Sequence, residues 1–124
     1  MRLYTKDHTW VLAEGARARV GISDFAQSEL GDIAYVELPV PGLRVERGAV
    51  ACTVDSLKSS SEIYAPVSGT IVESNGALAD EENCALVNRD PLGQGWLFVV
   101  EMSDPGELEQ LLSETAYHRF VKGG

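Results

Sequence analysis

The side chain best placed to do chemistry in this chain is a single amine. Lys58 lies within Val54-Asp55-Ser56-Leu57-Lys58-Ser59-Ser60-Ser61-Glu62-Ile63-Tyr64-Ala65-Pro66-Val67-Ser68-Gly69, between two segments that read as strands. A lysine acting as a Schiff base needs a pKa depressed by burial, which a hairpin tip does not supply. An exposed lysine can instead accept an acyl group by amide formation. Most lysines at such tips are simply solvated, so position alone decides nothing. The rest of the chain offers no rival centre. The serines around Lys58 lack a nearby His, and no Gly-x-Ser-x-Gly elbow is present. Gly93-Gln94-Gly95 precedes a strand and lacks the third glycine of a dinucleotide fingerprint. His8 and His118 are far apart, no Cys or His pair has metal-ligand spacing, and the acidic run 79–84 lacks calcium-loop spacing. The chain therefore reads as a non-catalytic component rather than an enzyme with its own active site.

To stand at a tip, Lys58 needs two arms. Val50, Cys52 and Val54 alternate with small or polar residues on the approach, and Ile63, Ala65, Val67 and Ile71 do so on the return. That period-two pattern predicts a β-hairpin. The segment 69–76 repeats it loosely and ends in Asn75-Gly76, a favoured tight turn. The arms thus look like pseudo-symmetric halves of a small β-barrel or sandwich. Trp10–Leu12, Ala16–Gly21 and Ile33–Leu38 are further strand-like runs, and 96–102 is expected as the last strand, buried on both faces. A short helix is expected over 23–31, capped by Ser23 or Asp24, closed by Gly31 and packed through Phe25, Ala26 and Leu30. Pro39-Val40-Pro41-Gly42 is a stiff turn, and 79–84 an exposed loop or single helical turn. Asp104 and Pro105 start a C-terminal helical segment over about 105–121. Its stripe of Leu108, Leu111, Leu112, Thr115, Tyr117 and Phe120 reads as core packing over the open side of the barrel.

Val54-Asp55-Ser56-Leu57-Lys58 and Ala65-Pro66-Val67-Ser68-Gly69 resemble the lipoyl-attachment segment of the glycine cleavage system H protein family, with conservative changes. The resemblance extends from Tyr4-Thr5-Lys6-Asp7-His8-Thr9-Trp10-Val11, which looks like the family's opening strand, through 20–27, Leu30-Gly31-Asp32-Ile33, Val36-Glu37-Leu38-Pro39 and Leu86-Val87-Asn88. It continues in Asp90-Pro91 with Gly95-Trp96-Leu97 and ends in Ser103-Asp104-Pro105. It implies a mainly β fold, a barrel-sandwich hybrid of the lipoyl-domain hammerhead type, spanning 1–124 as one lipoyl-carrier domain. It implies lipoate attached covalently to Lys58, with Asp55 and Gly69 read by the attaching ligase or transferase. It further implies that the arm takes an aminomethyl group from a pyridoxal-phosphate glycine decarboxylase and delivers it to a tetrahydrofolate-dependent aminomethyltransferase. A dihydrolipoamide dehydrogenase then reoxidises the arm. In the family the loaded arm folds back into a cleft whose acidic and polar residues greet the ammonium end. Here the candidates are Asp7, Thr9 and Glu62.

The chain departs from the family at several of these positions. Asp55 stands for the usual Glu, Thr9 for the Glu between His and Trp, Phe25 for a common His and Leu92 for a common Tyr. Thr9 and Phe25 keep a second reading open, an H-like carrier relaying lipoyl groups to other lipoate-dependent enzymes. A third is an unmodified β-domain used for protein docking. Leu57 and Ser59 in place of methionines disfavour a biotin carrier, and Leu57 in place of Asp disfavours a lipoyl domain of an oxo-acid dehydrogenase.

Composition sets outer bounds on all three. A chain of 124 residues supports one domain that buries about two-thirds of its unfolded surface. With 10 basic and 19 acidic residues the net charge is −9, which argues against nucleic acid or anionic membrane and fits encounters with basic protein surfaces. No transmembrane run or leader pattern is apparent, so the expected setting is the bacterial cytoplasm, or the mitochondrial matrix for a trimmed eukaryotic form. A monomer is expected, with Cys52 and Cys84 reduced and partly buried.

Overall fold

The computed structural model describes residues 2–123; Met1 and Gly124 lie outside the described residues. Ten strands form among them: β1 (Arg2–Tyr4), β2 (Thr9–Glu14), β3 (Arg17–Ile22), β4 (Ile33–Glu37), β5 (Arg44–Val45), β6 (Val50–Ser56), β7 (Ser60–Tyr64), β8 (Gly69–Ser74), β9 (Phe98–Met102) and β10 (Leu112–Ser113). They make one sheet of order β10-β1-β2-β3-β9-β8-β5 and a smaller one of order β4-β6-β7. Every described pairing is antiparallel. Val11, Val20 and Ile22 from the large sheet share a core cluster with Val36, Val54 and Ile63 from the small one, so the two sheets face each other as a sandwich. Each fully buried aliphatic side chain of that kind contributes about 1.5–3 kcal/mol.

Successive side chains on a strand point to opposite faces. Trp10 therefore turns away from Val11 into a second cluster with Tyr4 and Tyr117 on the far side of the large sheet. Gly21, paired with Trp10, makes room for it: a Cβ there would stand 2.6 Å from the indole ring. Covering this face is α3 (Glu114–Gly123), whose first turn is capped by Ser113 Oγ, which accepts from Ala116 N at 3.1 Å. The Tyr117 and Tyr4 rings stack with centroids 4.4 Å apart.

The short helix α1 (Asp24–Leu30) forms as expected, with Ser23 Oγ accepting from Ala26 N at 3.2 Å and Gly31 closing it at φ +81°. Val40-Pro41-Gly42-Leu43 is a type II turn, with Leu43 N donating to Val40 O and Gly42 at φ +98°. A further helical turn, α2 (Leu86–Arg89), was not visible in the sequence pattern.

Four expectations are corrected. The opening run is not one strand: β1 and β2 form a hairpin whose turn holds His8 at φ +67°. Asn75-Gly76 is not a hairpin turn, because the buried Asn75 caps the 3-10 helix 76–79 and donates to Gln94 O and Trp96 O. The segment 105–121 is divided into a 3-10 helix (Pro105–Gln110), β10 and α3; Leu108 and Leu111 pack on the main core, while Leu112, Tyr117 and Phe120 belong to the second cluster. Finally, β9 starts at Phe98 and leaves Glu101 exposed, so it is not buried on both faces, and β10 follows it in the chain.

Candidate functional site

Lys58 is exposed in the three-residue connection between β6 and β7. Serines build this turn. Ser56 N donates to Ser59 O at 2.8 Å, and Ser56 Oγ accepts from both Lys58 N (3.3 Å) and Ser59 N (3.1 Å). Side-chain oxygens that satisfy turn amides stabilise a connection that strand pairing leaves open. Asp55, paired with Ser60 beside the turn, accepts from Ser60 Oγ at 2.5 Å, while Leu57 beside the lysine is 79% exposed. Among the described residues the Lys58 ammonium makes no ion pair. Its stem passes over Gly31, where a Cβ would stand 3.4 Å from Lys58 Cε.

Buried Val54 and Ile63 form the inner face of the hairpin, so Ser60, Glu62 and Tyr64 lie on the outer face. These three residues lead away from the turn over about 13 Å. At the far end a groove of about 250 Å³ opens, with Tyr64, Ala65, Pro66, Leu111 and Leu112 as apolar walls and Asp7, Lys6 and Arg47 as charged ones. Asp7 is exposed, and its backbone N–H donates to Thr5 Oγ1 at 3.1 Å.

The three cleft candidates are thus dispersed. Asp7 lines the groove and Glu62 stands exposed on the strand that leads to it. Thr9 does not: it is 1% exposed, on the same face of β2 as core residue Val11. Gly69, expected to be read by the attaching enzyme, lies apart from the tip. It is buried in the other sheet, where a Cβ would come within 2.0 Å of Glu101 O, so packing explains the glycine. Tyr64 and the pair Leu111–Leu112 were missed as groove residues. The alternation along β7 carried a signal for Tyr64; nothing local marked the leucines.

Phe25, where the family commonly has His, packs against the His8 ring with centroids 4.7 Å apart. His8 Nδ1 lies 2.8 Å from Tyr117 Oη, which lies 2.7 Å from Ser23 Oγ. Burial pushes the Tyr117 phenol pKa up, partly offset by the Ser23 hydrogen bond. Burial and the Glu114 carboxylate push Tyr4 up. This polar chain ties the β1–β2 turn and the start of α1 to α3.

Known proteins resemble this chain in sequence and in fold. The sequence matches the family described as Glycine cleavage H-protein over residues 2–124. It is 50% identical over 120 residues to the glycine cleavage system H protein of Thermotoga maritima, covering 97% of this chain and 95% of that protein. To the Thermus thermophilus protein of the same name it is 49% identical over 121 residues, covering 98% and 93% respectively. The fold superposes on the crystal structure of a glycine cleavage system H protein from Mycobacterium marinum with a TM-score of 0.85 at 40% identity, covering 99% of this chain and 97% of that one. The chain belongs to the glycine cleavage H-protein family, the lipoyl-carrying component of the glycine cleavage system.

Proposed function

We propose that Lys58 is the residue that carries lipoate, and that residues 1–124 act as a single lipoyl-carrier domain. The observation that carries this reading is an exposed lysine, in no ion pair among the described residues, at the tip of a hairpin rooted in the core. The surroundings fit the group. Small serines border the amine, Gly31 leaves the space beside its stem open, and the outer face of β7 leads to a groove with apolar walls. Attachment joins Lys58 Nζ to the carboxyl carbon of an activated lipoyl donor held by a ligase or transferase. The donor's leaving group departs, and the ammonium nitrogen yields two of its three protons to solvent and keeps one as the amide N–H. The amide removes one positive charge from a chain already at −9.

When bound, lipoate supplies a dithiolane that accepts and releases the one-carbon unit and two electrons. The chain's own contribution is presentation: a tip held by Ser56 and Ser59 gives reach, and tethering makes later encounters effectively intramolecular. Asp7 and Glu62 are the acids on the route from the tip to the groove, placed to meet an ammonium. Exposed Asp32, Glu37 and Glu62, with half-buried Asp55, surround the hairpin with negative charge that steers basic surfaces toward it. The partners are the glycine decarboxylase, the aminomethyltransferase, dihydrolipoamide dehydrogenase and the attaching enzyme, met by a monomer in the cytoplasm.

Reconstituted glycine–bicarbonate exchange tests the shuttle. Lipoylated chain with a bacterial glycine decarboxylase is expected to support exchange, and Lys58→Arg to support none. Lipoylated chain that supports no exchange would point to the relay of lipoyl groups instead.

A further inference from the structure

The hairpin tip is not held by its own residues alone. Leu57 N donates to Asp32 O at 3.0 Å, which binds the residue before the lysine to the segment following α1. That segment is itself held from a third, distant part of the chain. Asn88 on α2 donates through Nδ2 to Gly31 O (2.8 Å) and to Gln27 Oε1 (3.0 Å), and its Oδ1 accepts from Ile33 N at 2.9 Å. One half-buried amide thus grips the residues on both sides of Asp32. Both Asn88 donors and its acceptor are used, and neither Asp nor Ala can reproduce this set of bonds. The clamped segment is also the one whose Gly31 lies under the Lys58 stem.

We propose that Asn88 is a positioning residue for Lys58. It fixes the 31–33 segment, and through the Asp32–Leu57 hydrogen bond it limits the poses in which the hairpin tip presents the lysine to the acylating enzyme. The inference rests on the reading of Lys58 as the lipoyl-attachment residue. Asn88 is 30 residues away in the chain, and its side-chain hydrogen bonds go to Gln27, Gly31 and Ile33 rather than to the lysine. Loss of the clamp leaves the amine chemically intact but widens its distribution of poses. The cost then falls on the acylation step within the bound complex, because a misplaced nucleophile reacts slowly even when bound.

The test uses the full chain, wild type and as Asn88→Ala and Asn88→Asp, with a bacterial lipoyl ligase, ATP and lipoate. Asn88→Asp retains the acceptor for Ile33 N and the side-chain size, and guards against a simple failure of Asn88→Ala to fold. In the unlipoylated proteins, the Leu57 amide is expected to exchange with deuterium about tenfold faster in both variants, while the Val54 and Val100 amides exchange as in the wild type. In lipoylation kinetics, kcat is expected to fall about fivefold at saturating carrier, in line with the loss of one or two neutral hydrogen bonds. A merely structural role would instead raise the apparent KM in proportion to the unfolded fraction and leave kcat unchanged. Wild-type kcat together with wild-type Leu57 exchange in Asn88→Asp would overturn the proposal. A wild type that accepts no lipoyl group at all would overturn the reading of Lys58, while the exchange result would still report on the clamp.

Discussion

The two ends of β2 and β6 show opposite solutions to placing a residue. At the Lys58 tip the side chains are small or exposed, the bonds run largely through serine oxygens and backbone with one tie from Leu57 N to Asp32 O, and the lysine itself is in no ion pair among the described residues. In the Tyr4–Trp10–Tyr117 cluster the side chains are large and buried, and the contacts join residues about a hundred positions apart. The first region can be changed without cost to the fold because little is packed there. The second carries no chemistry of its own but fastens the β1–β2 turn, which bears Asp7, to the C-terminal helix. On the proposed reading, the tip offers the reactive group and the aromatic cluster shapes the surface to which a group carried on the tip would return.

Trp10→Ala gives the largest expected effect on stability. It empties the centre of the second cluster and removes the indole N–H donated to Pro91 O at 2.9 Å. Denaturant unfolding is expected to show a loss of about 3–5 kcal/mol. A loss below about 1 kcal/mol would mean that this cluster does not anchor the fold. Tyr117→Phe is a finer probe, since it keeps the ring stack on Tyr4 and deletes only the hydroxyl between Ser23 and His8. Leaving those partners unmatched is expected to cost about 2 kcal/mol.

A pH series separates the two regions in another way. Cys52 lies on the inner face of the hairpin arm, and its thiol is pushed up to about 12 by burial, with a further rise from the Glu37 carboxylate. Above pH 9 the unfolded thiol ionises while the folded one stays protonated, so the unfolded state binds fewer protons and stability falls as pH rises. The contribution is complete below pH 9 and is lost progressively toward about 12, reaching a loss of about 1.4 kcal/mol at pH 10. Tyr4 and Tyr117, both raised by burial, add to the decline in the same direction only from about pH 10 upward. Thermal melts of wild type and Cys52→Val at pH 8 and pH 10 are expected to converge in their pH sensitivity only if the thiol is not the first group to matter. The account predicts a clearly flatter response for Cys52→Val. The smallest effect belongs to the tip: Lys58→Ala is expected to change stability by less than about 0.5 kcal/mol.

The same contrast explains what could be read from the residues alone. The hairpin was legible because strand alternation and turn chemistry are local, and so were the capped helix after Ser23 and the turn at Pro41-Gly42. Asn75-Gly76 misled because the same dipeptide that favours a tight turn also caps a helix, and only the distant carbonyls of Gln94 and Trp96 decide between them. The break at Leu111–Ser113 was hidden because β10 exists only by pairing with β1, which starts at the other end of the chain. Thr9 was expected on a cleft wall. Counting along one strand could not show it, but a turn at Thr5–His8 sets the phase of β2 and sends Thr9 to the core side. Gly69 has a packing reason that no local pattern showed: a backbone carbonyl from β9 leaves room for nothing larger.

The central claim is that Lys58, and neither Lys6 nor Lys122, is the residue acylated. Intact mass of the chain after incubation with a lipoyl ligase, ATP and lipoate tests it most directly, with peptide mapping of the product. The account predicts a single lipoyl increment located on the peptide containing Lys58 and absent from Lys58→Ala. An unmodified wild type, or an increment that persists in Lys58→Ala, would contradict it.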